Sequence, residues 1–128
     1  MSNVTKRSTP PPVEVKNLIS LYNHKRLLEA AALGEELARK HPKASLVYDV
    51  LGAVYMGLEN LNKAIESYQK LLLLDSKHTD ALNNMGMALY DQGRFDEAIA
   101  SLESAVKIEP DFADAHYNLG NALAQVGE

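Results

Sequence analysis

Thr79 to Phe112 reads TDALNNMGMALYDQGRFDEAIASLESAVKIEPDF, with apolar residues at helical spacing on both sides of Gln92-Gly93. One fixed offset toward the N-terminus turns Met85-Gly86…Leu89…Ala98…Leu102 into Leu51-Gly52…Tyr55…Ala64…Tyr68. The same offset toward the C-terminus gives Leu119-Gly120…Leu123, cut short. A period of this length marks a stacked array of helical pairs rather than a closed globule. Arrays of this kind present binding surfaces.

Working outward, the chain alternates helix and short turn, with no strand-like alternation of apolar and polar residues. Helices are expected at about 13–23, 26–41, 45–58, 61–74, 79–92, 95–108 and 113–126. The intervening turns carry Asn23-His24, His41-Pro42, Glu59-Asn60, Gln92-Gly93 and Pro110-Asp111. Pro42 and Pro110 stand where a helix must stop, because proline lacks the N–H that continues it. Thr79 and Asp111 suit helix N-termini. Residues 1–12 are polar and end in Pro10-Pro11-Pro12, which predicts a disordered leader before an array over residues 13–128.

The repeated positions make sense as packing. Gly52, Gly86 and Gly120 lie within helices, where glycine costs about 1 kcal/mol relative to alanine. That cost is offset if the missing side chain lets a neighbouring helix come close. Ala30, Ala64 and Ala98 are the small residues facing that approach, and Leu27, Leu61 and Phe95 wedge the turns.

The composition sets limits on function. With 46% hydrophobic and 23% charged residues over 128 positions, there is material for one ordinary domain. No cysteine is present, which excludes a disulfide framework and a thiol nucleophile. No run reaches the roughly 18 apolar residues of a membrane span, and the N-terminus has no signal-peptide core. A cytoplasmic protein without a membrane role is expected. Residues 1–44 carry a net charge of +4 and residues 45–128 one of −8. Such polarity can steer a charged partner or favour contact between copies. Basic residues are not gathered with aromatics on one element, so nucleic acid is not an expected partner.

The motif residues resemble those of the tetratricopeptide repeat, a helix-turn-helix unit of about 34 residues. Thr79–Phe112 carries Leu82, Met85, Gly86, Leu89, Gly93, Phe95, Ala98, Leu102, Ala105 and Pro110 of its pattern. Ser45–His78 is a second copy. Pro11–Ala44 is a divergent first copy, with Leu18 where the glycine belongs and Gly34 where the large residue belongs. Residues 113–128 begin a further copy with Leu119, Gly120, Leu123 and Gly127. The resemblance implies an all-α fold, a right-handed superhelix (α-solenoid) of about three and a half repeats. The run Ala115-His116-Tyr117-Asn118-Leu119-Gly120 is similar to repeats of O-linked N-acetylglucosamine transferase and of bacterial fusions to transferase domains.

In that family the first helix of each pair lines a concave face. The resemblance therefore puts Asp49 from the second repeat there. Asn83, Asn84, Met87 and Tyr90 follow from the third, and Asp114, Tyr117, Asn118 and Asn121 from the last helix. Asn84 and Asn118 stand at equivalent positions, one period apart. A carboxamide both donates and accepts, so these two could hold the backbone of an extended peptide as rungs of a ladder. Val50 and Lys16 occupy the equivalent earlier positions, which leaves two rungs, and an asparagine in a helix can equally be a plain solvated residue. Only Lys16 supplies an inner-face cation, whereas Asp49, Asp80, Asp91 and Asp114 make the groove acidic. A neutral or basic peptide is the expected ligand.

Catalytic and metal readings are weak. The four histidines, His24, His41, His78 and His116, show no i, i+4 zinc spacing; His116 is at a position that packs between helices in the family. Asp91 to Glu97 is too short for a calcium loop. No cofactor, metal or enzymatic activity is expected. Three roles follow: a scaffold binding a peptide or partner segment, a self-assembling module, or the accessory region of a larger transferase. The unfinished last repeat suggests a fragment of a larger protein, with Leu119, Leu123 and Val126 forming an uncovered edge for homo-oligomer contacts.

Overall fold

The computed structural model describes residues 9–127; of the expected leader over residues 1–12, the first eight lie outside the described residues. Among the described residues there are seven helices and no strand. They are α1 (Pro12–Asn23), α2 (Leu27–Lys40), α3 (Ser45–Gly57), α4 (Leu61–Leu74), α5 (Thr79–Asp91), α6 (Phe95–Ile108) and α7 (Ala113–Gln125). Each begins and ends within about a residue of where the periodicity and turn residues put it. Pro12 opens α1, where its missing N–H would have had no helical partner. His78, rather than Thr79, caps α5: its Nδ1 accepts from the Ala81 N–H at 3.1 Å. The Thr79 hydroxyl instead donates to the Glu109 carboxylate at 2.7 Å. At α7 the residue before the helix is Phe112, with no side-chain cap, so Asp111 does not act as one.

The turn between paired helices is one structure repeated at the sequence period. Lys25, Glu59, Gly93 and Gly127 all have positive φ, between 60° and 87°. The next residue's N–H reaches back to close the preceding helix, from Arg26 to Leu21 O, Asn60 to Tyr55 O and Arg94 to Leu89 O, each at 2.9 Å. This is the six-to-one bond of a Schellman cap, which satisfies a carbonyl that the helix end leaves open. The following helix start is also braced at matching positions. Arg26 makes two bonds to Glu29 and Arg94 two to Glu97, while Asn60 Oδ1 accepts from the Lys63 N–H at 3.2 Å.

The described chain forms two compact units that divide between Ser67 and Tyr68, within α4. In the first, α2 packs against both α1 and α3. Its core holds the fully buried Leu18, Ala30, Leu37, Val47, Leu51 and Val54. The apparent defects of this repeat lie against each other. A β-carbon on Gly34 would sit 3.5 Å from Leu18 Cδ1 and 2.6 Å from Leu51 Cδ2, so leucines fill the space this glycine vacates. Leu51 takes the space Gly34 leaves, and Leu18 meets it at ordinary contact distance. Tyr55 on α3, also buried, donates its hydroxyl hydrogen to the Glu35 carboxylate on α2. Burial, and then this bond, push the phenol pKa above its usual value.

In the second unit α6 packs on α5 and α7, and α5 also meets α7. Leu82, Leu102, Ala105, Ala115 and Ala122 form its buried cluster. A β-carbon on Gly86 would lie 2.6 Å from Leu102 Cγ, the close approach the sequence predicts. The buried Ser101 hydroxyl donates to the Leu82 carbonyl at 2.7 Å, a second tie between α5 and α6. Phe95 wedges its turn by meeting the Tyr90 ring edge-on at a centroid distance of 5.2 Å. Gly120 departs from expectation: nothing lies within 4 Å of its β-position, so no helix approaches it among the described residues.

Candidate ligand groove

α5 and α7 present side chains to a shared groove, and two hydrogen bonds hold those helices in register. Asn118 Nδ2 donates to Asn83 Oδ1 at 2.9 Å, and Gln125 Nε2 to the Tyr90 hydroxyl at 3.2 Å. Asn83 is only 5% exposed, so its carboxamide is a structural part of the wall. Between these ties lies a pocket of about 160 Å³. Gly86, Leu102, Met87 and the Tyr90 ring are its apolar lining. Asp91, Asn118 and Asn121 are its polar lining. Gly86 thus does two things: it admits Leu102 and lines the groove at that point.

The expected inner-face residues divide accordingly. Met87, Tyr90, Asn118 and Asn121 line the pocket. Asn83 stands behind it as the partner of Asn118. Asn84, the other rung of the expected ladder, is half-buried and lies outside the pocket lining. Asp114 and Tyr117 are exposed on the first turns of α7, Tyr117 by 72%. Asp49 is a half-buried residue of α3, in the other unit. Leu102 is the contributor that sequence reasoning missed: it expects Ala98 to face the approach at Gly86, and Leu102 takes that place.

The three residues of the expected self-association edge differ in exposure. Leu119 packs against the second unit's buried cluster and is half-buried, as is Leu123, so neither is an open apolar surface. Val126 alone of the three is exposed. His116 does not pack between helices either: it is exposed, and its Nε2 donates to the Pro110 carbonyl at 2.7 Å. Among the described residues no three His, Cys, Asp or Glu side chains gather as a metal site, and no helix is long and apolar enough to cross a membrane.

Comparison with known proteins agrees with this architecture. A family model described as TPR repeat matches residues 86–127, and one described as tetratricopeptide repeat matches residues 55–104. Over 96 residues, 72% of this chain, it is 32% identical to protein O-mannosyl-transferase TMTC1 of Mus musculus, of which it covers 10%. The chain spans between a tenth and a fifth of the length of the first curated relatives it matches. Among solved structures, it is similar to the first TPR of Spaghetti (RPAP3) bound to the HSP90 peptide SRMEEVD. The TM-score is 0.87 at 15% identity, covering 96% of this chain and 95% of that one. The Yersinia enterocolitica type III secretion chaperone SycD, in complex with a peptide of the translocator YopD, gives 0.82 at 17% identity, covering 88% and 91%. With its turns and helical pairs repeating at the same period, and repeat models matching residues 55–104 and 86–127, the chain belongs to the tetratricopeptide repeat family.

Proposed function

We propose that this chain is a protein-interaction scaffold that holds an extended segment of a partner protein in the concave groove lined by α5 and α7. The observation that carries this reading is the pocket beside Asn118, where an apolar lining meets carboxamide and carboxylate groups. Sites that grip peptides combine a side-chain pocket with polar groups for the backbone in this way. The similar structures named above were determined with peptides bound, which supports the same use of the fold here. A catalytic role has no comparable support, since the polar groups at the pocket are one carboxylate, two carboxamides and the Tyr90 phenol, whose oxygen is bonded by Gln125 rather than placed beside a base.

The test is selection of a random decapeptide display library on the wild-type chain and on Met87→Glu, which puts a charge into the pocket wall. Enrichment by the wild type that the variant loses is expected. Equal enrichment by both would place binding elsewhere, and none by the wild type would end the reading.

A further inference from the structure

We infer that the pocket between α5 and α7 takes a lysine or arginine side chain of the bound segment, which rests on the peptide-binding reading above. Its volume, about 160 Å³, falls below the roughly 300–1,000 Å³ of small-molecule sites. It is a place for one side chain. The lining suits an alkyl stem with a polar head: Leu102, Met87 and Tyr90 offer apolar surface, and exposed Asp91 a carboxylate.

The charges give the head its sign. Asp91 can only accept hydrogen bonds when ionised. It is also the last residue of α5, so the negative end of that helix dipole adds to its field. Asn118 is turned to the same purpose by its neighbour. Because its Nδ2 donates to buried Asn83, its Oδ1 is directed away from that bond and remains an acceptor for a ligand. Among the described residues no cation lines the pocket. The nearest in sequence, Arg94, is held by both oxygens of Glu97 and by Gln92.

Tyr90 completes the site. Its ring is fixed from one side by Phe95 and its hydroxyl by Gln125. A rigid ring face beside a carboxylate is a favourable neighbour for an ammonium or guanidinium group. An acidic segment, by contrast, would bring its carboxylates against Asp91 with nothing to neutralise them.

Sequencing the decapeptides enriched on the wild type, on Asp91→Asn and on Asn83→Leu tests this. Asp91 is exposed, so its substitution leaves the fold intact. Expected is a basic residue at one register position in the wild-type pool. Against Asp91→Asn that preference should fall about tenfold, a loss on the scale of one charge-assisted bond, while flanking apolar preferences persist. Asn83→Leu, its fold checked by circular dichroism, should weaken the basic preference by a smaller factor. A wild-type pool that is enriched but has no basic position, or keeps it against Asp91→Asn, overturns this assignment and leaves the peptide-binding reading standing. An absence of any enrichment overturns both.

Discussion

Asn118 is joined to Asn83, not to Asn84: its carboxamide nitrogen donates across 2.9 Å to the carboxamide oxygen of a residue 35 positions earlier. The Gln125–Tyr90 bond has the same separation of 35. Contact between α5 and α7 therefore runs one residue out of step with the sequence period.

That relationship makes Asn83 a measurable structural residue. Asn83→Ala should lower stability by about 1 kcal/mol, the net value of an ordinary hydrogen bond. In a double-mutant cycle with Asn118→Ala, most of that loss should be shared between the two sites. Urea denaturation of the four proteins gives the coupling. Strict additivity would show that the bond contributes nothing.

Gly86 and Gly120 occupy the same repeat position and should respond to alanine with opposite signs. At Gly86 the new methyl meets Leu102 at 2.6 Å, and overpacking of this kind costs about 1–3 kcal/mol. At Gly120 it meets nothing within 4 Å, and alanine is favoured in a helix by about 1 kcal/mol. Thermal melts should show Gly86→Ala lowered and Gly120→Ala raised. A fall at both would mean that the face of α7 around Gly120 is covered in solution.

Backbone conformation separates the turns in a similar way. Gly93 has a φ of +78° and Glu59 one of +60°. A side chain in this left-handed region costs about 1–2 kcal/mol. Gly93→Ala should be destabilising by roughly that amount, and Glu59→Gly stabilising by somewhat less, since the added glycine also loosens the unfolded chain. Matched denaturation midpoints for Glu59→Gly and wild type would count against strain at Glu59.

The Tyr55–Glu35 bond predicts a pH dependence at the alkaline end. Burial and hydrogen bonding raise the Tyr55 pKa in the folded chain, so folding favours the neutral phenol. The resulting stability is complete below the unfolded value, near 10, and is lost as pH rises through the folded value. Wild-type stability relative to Tyr55→Phe should therefore shrink steadily from about pH 9.5 upward. Denaturation of both proteins across that range isolates this tyrosine from the others. A constant difference would refute the assignment.

The sequence carries several helix ends because a residue there has a backbone reason to end the helix: Pro42, Gly93, Pro110. It carries the close approach at Gly86, but it expects Ala98 there, and the structure puts Leu102 against that glycine. What it does not carry is how helices turn about their axes when they pack. Periodicity makes Asn84 and Asn118 equivalent positions, but it does not show that Asn118 meets Asn83 across the helix pair. Leu18 and Gly34 look like two separate departures from the pattern until packing sets them in contact, with Leu51 in the space Gly34 leaves. Leu119 reads as exposed when only its expected second helix is considered, yet the preceding helices already cover half of it.

The shared backbone geometry of Lys25, Glu59, Gly93 and Gly127 has a consequence for how such a molecule can change. A block one period long, cut between two of these positions, begins and ends in the same conformation. Duplicating or deleting it leaves every remaining junction in a geometry the chain already uses. Length is then a property that recombination can alter in whole steps, while point substitution is left to adjust what each step recognises.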